Sequence, residues 1–257
     1  MMNKNGIGDI VVYAGDGADM GSAEKLAHNL GAEITREEPG TECAAFVLRL
    51  DPSGLTLISG GRSFIGDFTR MLPRLKAGTL QRELLVRAAR IKDASRPLTA
   101  VDATAGMGDD SLLLAAAGFD VQLFEYNPVI AALLADTLRR ARDIPELADI
   151  VCRMHLTECD SLEALTLLKE PPDVILLDPM FPARHKSSLV KKKPQVLQSL
   201  ETPCADEAAL LQAAIDAGPR KVIIKRPIKG GLLAGIRPGY SIKGKTVRYD
   251  CIVPVQK

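Results

Sequence analysis

Val101-Asp-Ala-Thr-Ala-Gly-Met-Gly-Asp-Asp110 decides how the rest of the chain is read. It continues the apolar run Pro97-Leu-Thr-Ala-Val101, suited to a buried parallel strand, and precedes Ser111-Leu-Leu-Leu-Ala-Ala-Ala117, a helical stretch closed by Gly118. The glycines therefore sit in a strand-to-helix turn. Gly106 and Gly108 can take positive φ and leave no Cβ in a ligand's way, while the following helix offers unpaired N–H groups. A dinucleotide fingerprint of the form G-x-G-x-x-G would need a third small residue for close helix packing, and this chain has Ser111 there. The carboxylates of Asp102, Asp109 and Asp110 would repel a pyrophosphate but tolerate a cofactor carrying an ammonium and a sulfonium, as S-adenosylmethionine does.

Working outward, Val121-Gln-Leu-Phe-Glu125 reads as the next strand, and its terminal acid lies 23 residues after Asp102, placed to accept hydrogen bonds from ribose hydroxyls. Asn127-Pro128 caps and opens a helix to about Ala141. A third strand is expected at Ile150-Val-Cys-Arg-Met154, leading to Asp160-Ser161, where a side-chain oxygen takes an adenine amino group or Asp160 serves as a plain N-cap. The fourth strand, Val174-Ile-Leu-Leu177, runs into Asp178-Pro-Met-Phe-Pro182. Two prolines stiffen that loop and aim the carbonyls of Asp178 and Pro179. An exocyclic amine on a base is a poor nucleophile, because its lone pair is delocalised into the ring. Acceptors that bind its hydrogens turn the lone pair toward a sulfonium methyl, so positioning replaces a strong base. Phe181 is either a core residue or a stacking platform. Its place between two prolines, in a chain with six Phe, four Tyr and no Trp, favours stacking.

These blocks carry a resemblance. Asp102-Ala-Thr-Ala-Gly-Met-Gly108, Glu125-Tyr-Asn-Pro-Val-Ile-Ala-Ala-Leu-Leu134, Leu177-Asp-Pro-Met-Phe-Pro182 with the tail Lys186-Ser-Ser-Leu-Val-Lys-Lys192, and Val222-Ile-Ile-Lys-Arg-Pro227 resemble the ribosomal RNA small subunit methyltransferase J family. The likeness covers roughly residues 80 to 255 and is loose over the first 70. It implies S-adenosylmethionine-dependent methylation of the 2-amino group of a guanosine in 16S rRNA. It also implies cofactor contacts at Asp109, Asp110, Glu125, Tyr126, Asp160, Ser161 and Asp178, beside the turn residues Asp102, Gly106 and Gly108.

Composition agrees with an enzyme of this kind. At 257 residues with 46% apolar content the chain has ample core, and no apolar run approaches the ~18 residues needed to span a bilayer. The polar start lacks a signal peptide, and five cysteines without a C-x-x-C pair suggest reduced thiols and a cytoplasmic protein. Three scattered histidines offer no metal-ligand spacing, so neither a metal nor a membrane partner is expected. The net charge of +1 hides polarity: residues 1–60 hold nine acids and four bases, leaving +6 for the remainder. Between Pro179 and Leu200 lie Arg184, Lys186, Lys191, Lys192 and Lys193 without an acid, and residues 217–249 hold nine Lys or Arg, among them Lys225 and Arg226, again without one. Two such stretches after strand ends suggest a platform for 16S rRNA or the small ribosomal subunit.

The expected architecture is α/β: a Rossmann-like class I methyltransferase with a doubly wound, mostly parallel seven-stranded sheet over residues 67–257, behind a small N-terminal α/β lobe over residues 1–66. In the lobe, Asp9–Tyr13 reads as a strand, Ser22–Leu30 as a helix, and Cys43–Leu50 with Leu55–Ser59 as a hairpin. Residues 60–78 read as a link, followed by one helix from about Leu80 to Ile91. Tyr240–Lys243 and Val247–Val253 should close the sheet as a hairpin. Gly239-Tyr-Ser-Ile-Lys-Gly-Lys-Thr246 matches the phosphate-loop pattern letter for letter, but such a loop must open a helix and Val247–Val253 alternates like a strand. A methyltransferase acting on a different nucleic-acid amino group, a nicotinamide oxidoreductase and a catalytically silent RNA-binding protein compete with the guanosine methyltransferase as readings of the same motifs.

Overall fold

The computed structural model describes residues 9–40, 44–92, 96–179, 195–198, 200 and 206–254. Its first sheet has five strands: β1 (Ile10–Ala14), β2 (Glu33–Thr35), β3 (Phe46–Asp51), β4 (Gly54–Ser59) and β5 (Arg62–Ile65), with α1 (Met20–Leu30) joining β1 to β2. The order is β2-β1-β3-β4-β5, parallel about β1 and antiparallel from β3 onward. Asp19 caps α1 by accepting the Ser22 N–H, and Gly31 at φ 58° ends it. The expected strand, helix and hairpin are present. β2 and β5 are additions, and β5 falls in the stretch read as a link. Both are short edge strands that bury little, so they leave a weak pattern.

Three short helices follow, α2 (Leu72–Leu75), α3 (Ala77–Leu80) and α4 (Leu84–Ala89). They replace the single helix expected over 80–91, because Glu83 at ψ 133° is extended and interrupts it. The second sheet is then built from β6 (Thr99–Asp102), α5 (Asp109–Ala116), β7 (Asp120–Glu125), α6 (Pro128–Ala141), α7 (Pro145–Val151), β8 (Met154–Glu158), α8 (Ser161–Thr166), β9 (Val174–Leu177), α9 (Gln195–Gln198), α10 (Glu207–Asp216), β10 (Lys221–Pro227), β11 (Tyr240–Lys243) and β12 (Val247–Ile252). Its order is β11-β12-β10-β9-β6-β7-β8, with β12 antiparallel to both neighbours and every other pairing parallel.

The third strand of this sheet starts at Met154, which corrects the expected strand at 150–154. Pro145 opens a helix instead, and Leu147 and Val151, one turn apart, bury their side chains on its inner face. Residues 240–252 form the expected hairpin, and Gly244 donates its N–H to the Val247 carbonyl at 2.8 Å. A strand follows the Gly-Lys-Thr sequence, so its match to a phosphate loop is a coincidence of letters.

Alternation along the central strands sends side chains to two cores. Val174, Leu176 and Ile223 pack with α4, α5 and α7, while Ile175, Leu177, Val222 and Ile224 pack with α8 and α10. A third core joins the first sheet to α6 through Val129, Ile130 and Leu133. There Asp136 of α6 accepts the Leu55 N–H at 2.9 Å and is flanked by Arg139 and Arg140. Sheet order reverses between β6 and β9, which places the ligand crevice at the carboxyl ends of those two strands. Among the described residues, no helix is long and apolar enough to cross a membrane.

Candidate active site

The turn after β6 is braced from below. Asp102 is 2% exposed; its carboxylate accepts the Ser111 hydroxyl at 2.6 Å and the Thr104 N–H at 3.1 Å. Burial, reinforced by the nearby charges of Asp110 and Asp178, pushes the Asp102 carboxyl up to about 7, against the pull of these two bonds. Asp102 thus supports the cradle from within rather than reaching a ligand, which corrects its assignment as a direct cofactor contact. Gly106 at φ 53° has no atom within 4 Å of where a Cβ would stand, so the turn faces open space there. Gly108 at φ 76° has a different reason: a Cβ would come within 2.9 Å of Leu134.

Glu125, at the end of β7, accepts the Gly106 N–H at 2.8 Å through one oxygen and the Asn127 N–H at 2.8 Å through the other. It stitches the glycine turn to the start of α6, whose first N–H groups are capped by Asn127. Tyr126 beside it is 68% exposed, an uncovered ring at the rim. Asp160 accepts the Leu162 N–H at 2.8 Å and is the N-cap of α8. The Ser161 hydroxyl donates to the Ala103 carbonyl, tying α8 to the same turn. Asp109 is held by Arg70 at 2.8 and 2.9 Å, in a pair exposed enough to contribute little stability.

Across the switch point, the Asp178 N–H donates to the Thr104 hydroxyl at 2.7 Å, so the loop after β9 is fastened to the loop after β6. The Lys225 ammonium, on β10, lies 2.6 Å from Asp110 and 2.9 Å from Asp178, bridging the helix start and the β9 loop. Burial alone would lower the Lys225 pKa. Asp110 and Asp178, with the Tyr249 hydroxyl behind them, outweigh it and hold the group charged well above the usual lysine range. Tyr249 is 5% exposed, and burial beside Asp110 keeps its phenol neutral.

Two carboxylates, Asp110 and Asp178, thus share the Lys225 ammonium, with the buried Asp102 behind them. That surplus of negative charge, next to a turn open at Gly106 and a carboxylate at the end of β7, fits a ribose-bearing cofactor with positive charge and not a pyrophosphate.

Sequence reasoning placed Lys225 and Arg226 on RNA, and the structure turns both inward. Lys225 is committed to the two aspartates, and Arg226 is 5% exposed with its Nε on the Gly231 carbonyl at 2.9 Å. Pro179 is buried. Phe181, Arg184, Lys186, Lys191, Lys192 and Lys193 lie outside the described residues. Thr104 and Ser111 escaped sequence reasoning; each is a small hydroxyl residue within ten positions of Asp102, the only signal they offered.

Residues 41–254 match a family described as putative SAM-dependent methyltransferase. The chain is 43% identical to ribosomal RNA small subunit methyltransferase J of Thioalkalivibrio sulfidiphilus, over 90% of this chain and 92% of that one. It is 37% identical to the protein of the same name from Pseudomonas aeruginosa, over 89% and 88%. In structure it is similar to a SAM-dependent methyltransferase of Neisseria gonorrhoeae, with a TM-score of 0.73 at 28% identity, covering 95% of this chain and 96% of the other.

Proposed function

The chain belongs to the S-adenosylmethionine-dependent methyltransferases, within them to the ribosomal RNA small subunit methyltransferase J family, and from that premise we propose that it methylates the 2-amino group of a guanosine in 16S rRNA. The observation that carries the reading is the hydrogen bond between Thr104 and Asp178, which holds the Asp-Pro loop after β9 against the glycine turn after β6.

When bound, S-adenosylmethionine supplies an electrophilic methyl on a sulfonium sulfur. Glu125 would hold the ribose hydroxyls, and Tyr126 would cover the adenine. Gly106 would let the backbone approach the cofactor, Asp110 would face its methionine end, and the start of α8 at Asp160 and Ser161 would border its adenine. The Asp178 carboxylate and the Pro179 carbonyl accept the two hydrogens of the target amine and direct its lone pair at the methyl carbon. The amine nitrogen would take the methyl from the sulfonium sulfur and release its extra proton to solvent. Phe181 is assigned to stack on the base, and Arg184, Lys186, Lys191, Lys192 and Lys193 to the flanking phosphates. Lys225 acts through Asp178, keeping that carboxylate in place. We divide the chain at residues 66 and 67 into a lobe and a methyltransferase domain, and assign it to the cytoplasm, where its substrate is made.

Incubation with methyl-tritiated S-adenosylmethionine and unmethylated 16S rRNA, free and within the small subunit, tests the reading. After nuclease digestion the label is expected in N2-methylguanosine. Label in another nucleoside, or none from a protein that binds S-adenosylhomocysteine, overturns it.

A further inference from the structure

The acid-free stretch from 217 to 249 is sorted by the fold. Of its nine basic residues, Lys221, Lys225, Arg226 and Arg248 are spent inside and Arg220 is half-buried beside Asp173, whereas Lys229, Arg237, Lys243 and Lys245 are exposed. Arg248 is 7% exposed and does unusual work: its guanidinium donates to the carbonyls of Pro227, Ile228 and Gly230 at 2.9, 3.1 and 2.9 Å and to Gly231 at 3.2 Å, while Nε faces Asp250 at 3.0 Å. Arg226 adds a bond to Gly231 at 2.9 Å. The segment linking β10 to β11 is therefore a stapled loop, not a loose one. Leu233, 2% exposed, anchors it against α10, and Ala234 is held at φ 48°, a conformation that non-glycine residues adopt only under constraint.

What this rigid loop shows to solvent is specific. Lys229 and Arg237 flank Leu232 and Ile236, 36% and 40% exposed. The loop begins two residues after Lys225, whose ammonium sits on Asp178, so its first residues border the crevice; from there it runs along α10 and ends at Gly239, whose N–H donates to the Cys251 carbonyl. Positive charge without acids, interleaved with apolar faces, is the chemistry that recognises an unpaired RNA strand: phosphates by the cations, exposed bases and sugars by the apolar faces.

We propose that the loop of residues 227–239 is a preformed docking surface for the single-stranded RNA that flanks the target nucleotide. The proposal deepens the function given above and rests on it. The loop takes the strand in one geometry, since Arg248 has already fixed its backbone, and less ordering is required on binding.

The test uses the full chain and a fluorescein-labelled single-stranded 16S rRNA fragment, titrated across a range of potassium chloride concentrations. Exchange of Lys229 and Arg237 to Gln removes two phosphate contacts and should flatten the slope of log affinity against log salt by about 1.4. Exchange of Leu232 and Ile236 to Ser should weaken binding tenfold or more with the slope unchanged. Lys92→Gln, in a basic cavity lined also by Arg90, Arg220 and Lys221 at the opposite ends of the strands, is the control and should alter neither. Calorimetry should give wild-type affinity for S-adenosylhomocysteine in every variant, which separates failure of the loop from failure of the methyltransferase reading. Unchanged slope and affinity in the loop variants overturn the proposal. So does an equal effect of Lys92→Gln, or binding to anionic phospholipid vesicles that is lost in the same variants while RNA binding persists.

Discussion

Lys225→Met removes the ammonium that two carboxylates, Asp110 and Asp178, share. That group makes bonds of 2.6 and 2.9 Å to Asp110 and Asp178, and taking one partner from a buried pair costs about 3–5 kcal/mol. The Lys225 side chain is 27% exposed and that of Asp178 33%, so water relieves part of the loss and the low end, about 3 kcal/mol, is expected. For a chain of this length that is a fall in Tm of about 6–10 °C. Asp178 also loses the contact that aims it, and a displacement of about 1 Å lowers kcat on the order of a hundredfold. Lys225→Arg keeps the charge and should recover most of the stability. Adding Asp110→Asn to Lys225→Met removes one unpaired carboxylate and should restore part of the Tm without restoring kcat. The Lys225 pKa is raised in the folded state, so its contribution is complete below the lysine range and is lost only as pH rises through the folded value. The stability gap between wild type and Lys225→Met should therefore persist across the neutral range. Thermal unfolding and single-turnover methylation are the measurements. Lys225→Met melting within about 1 °C of wild type with normal kcat would refute the clamp.

Asp102 titrates near 7 when folded and about 3.9 when unfolded, so the unfolded chain ionises first and wild type loses stability as pH rises from about 4 to 7, by up to about 4 kcal/mol. Asp102→Asn keeps an oxygen to accept the Thr104 N–H and can donate its amide to the Ser111 hydroxyl; it should flatten that slope and melt above wild type at alkaline pH, whereas parallel pH curves would show that Asp102 is ionised throughout. Glu125→Ala frees the Gly106 N–H and removes a ribose acceptor, and should weaken S-adenosylhomocysteine binding by about 1.5–3 kcal/mol; an unchanged Kd in calorimetry would put the cofactor elsewhere. Asp178→Ala should slow methyl transfer about a hundredfold or more while changing RNA affinity little, and wild-type turnover would end the proposed role of the Asp-Pro loop.

The central strands were legible because burial on both faces writes a continuous apolar run, as in Val174-Ile-Leu-Leu177, and the turns because glycine and proline punctuate them. β8 was not. It is an edge strand, mostly exposed beyond Met154, and the more apolar Ile150-Val-Cys152 before it drew the assignment. The same logic divides the site. Glu125 and Asp178 sit at strand ends, where periodicity locates them. The use of Lys225 was invisible, since its partner Asp110 lies 115 residues away and only the register of β10 beside β9 and β6 brings them together. Asp160 showed both faces of its ambiguity, and its capping bond is the half the structure displays.

Helix α6 serves two cores at once: Leu134, Leu138 and Ala141 face the second sheet, and Val129, Ile130 and Leu133 face the first. A party wall of this kind cannot be assigned to either room. A fragment beginning after residue 66 would bare those three side chains and strand the Asp136 carboxylate that receives Leu55, so the chain should resist being cut into separately expressed halves. It also means that the two sheets, sharing one helix, turn together, and the first cannot swing away without opening the core beneath it.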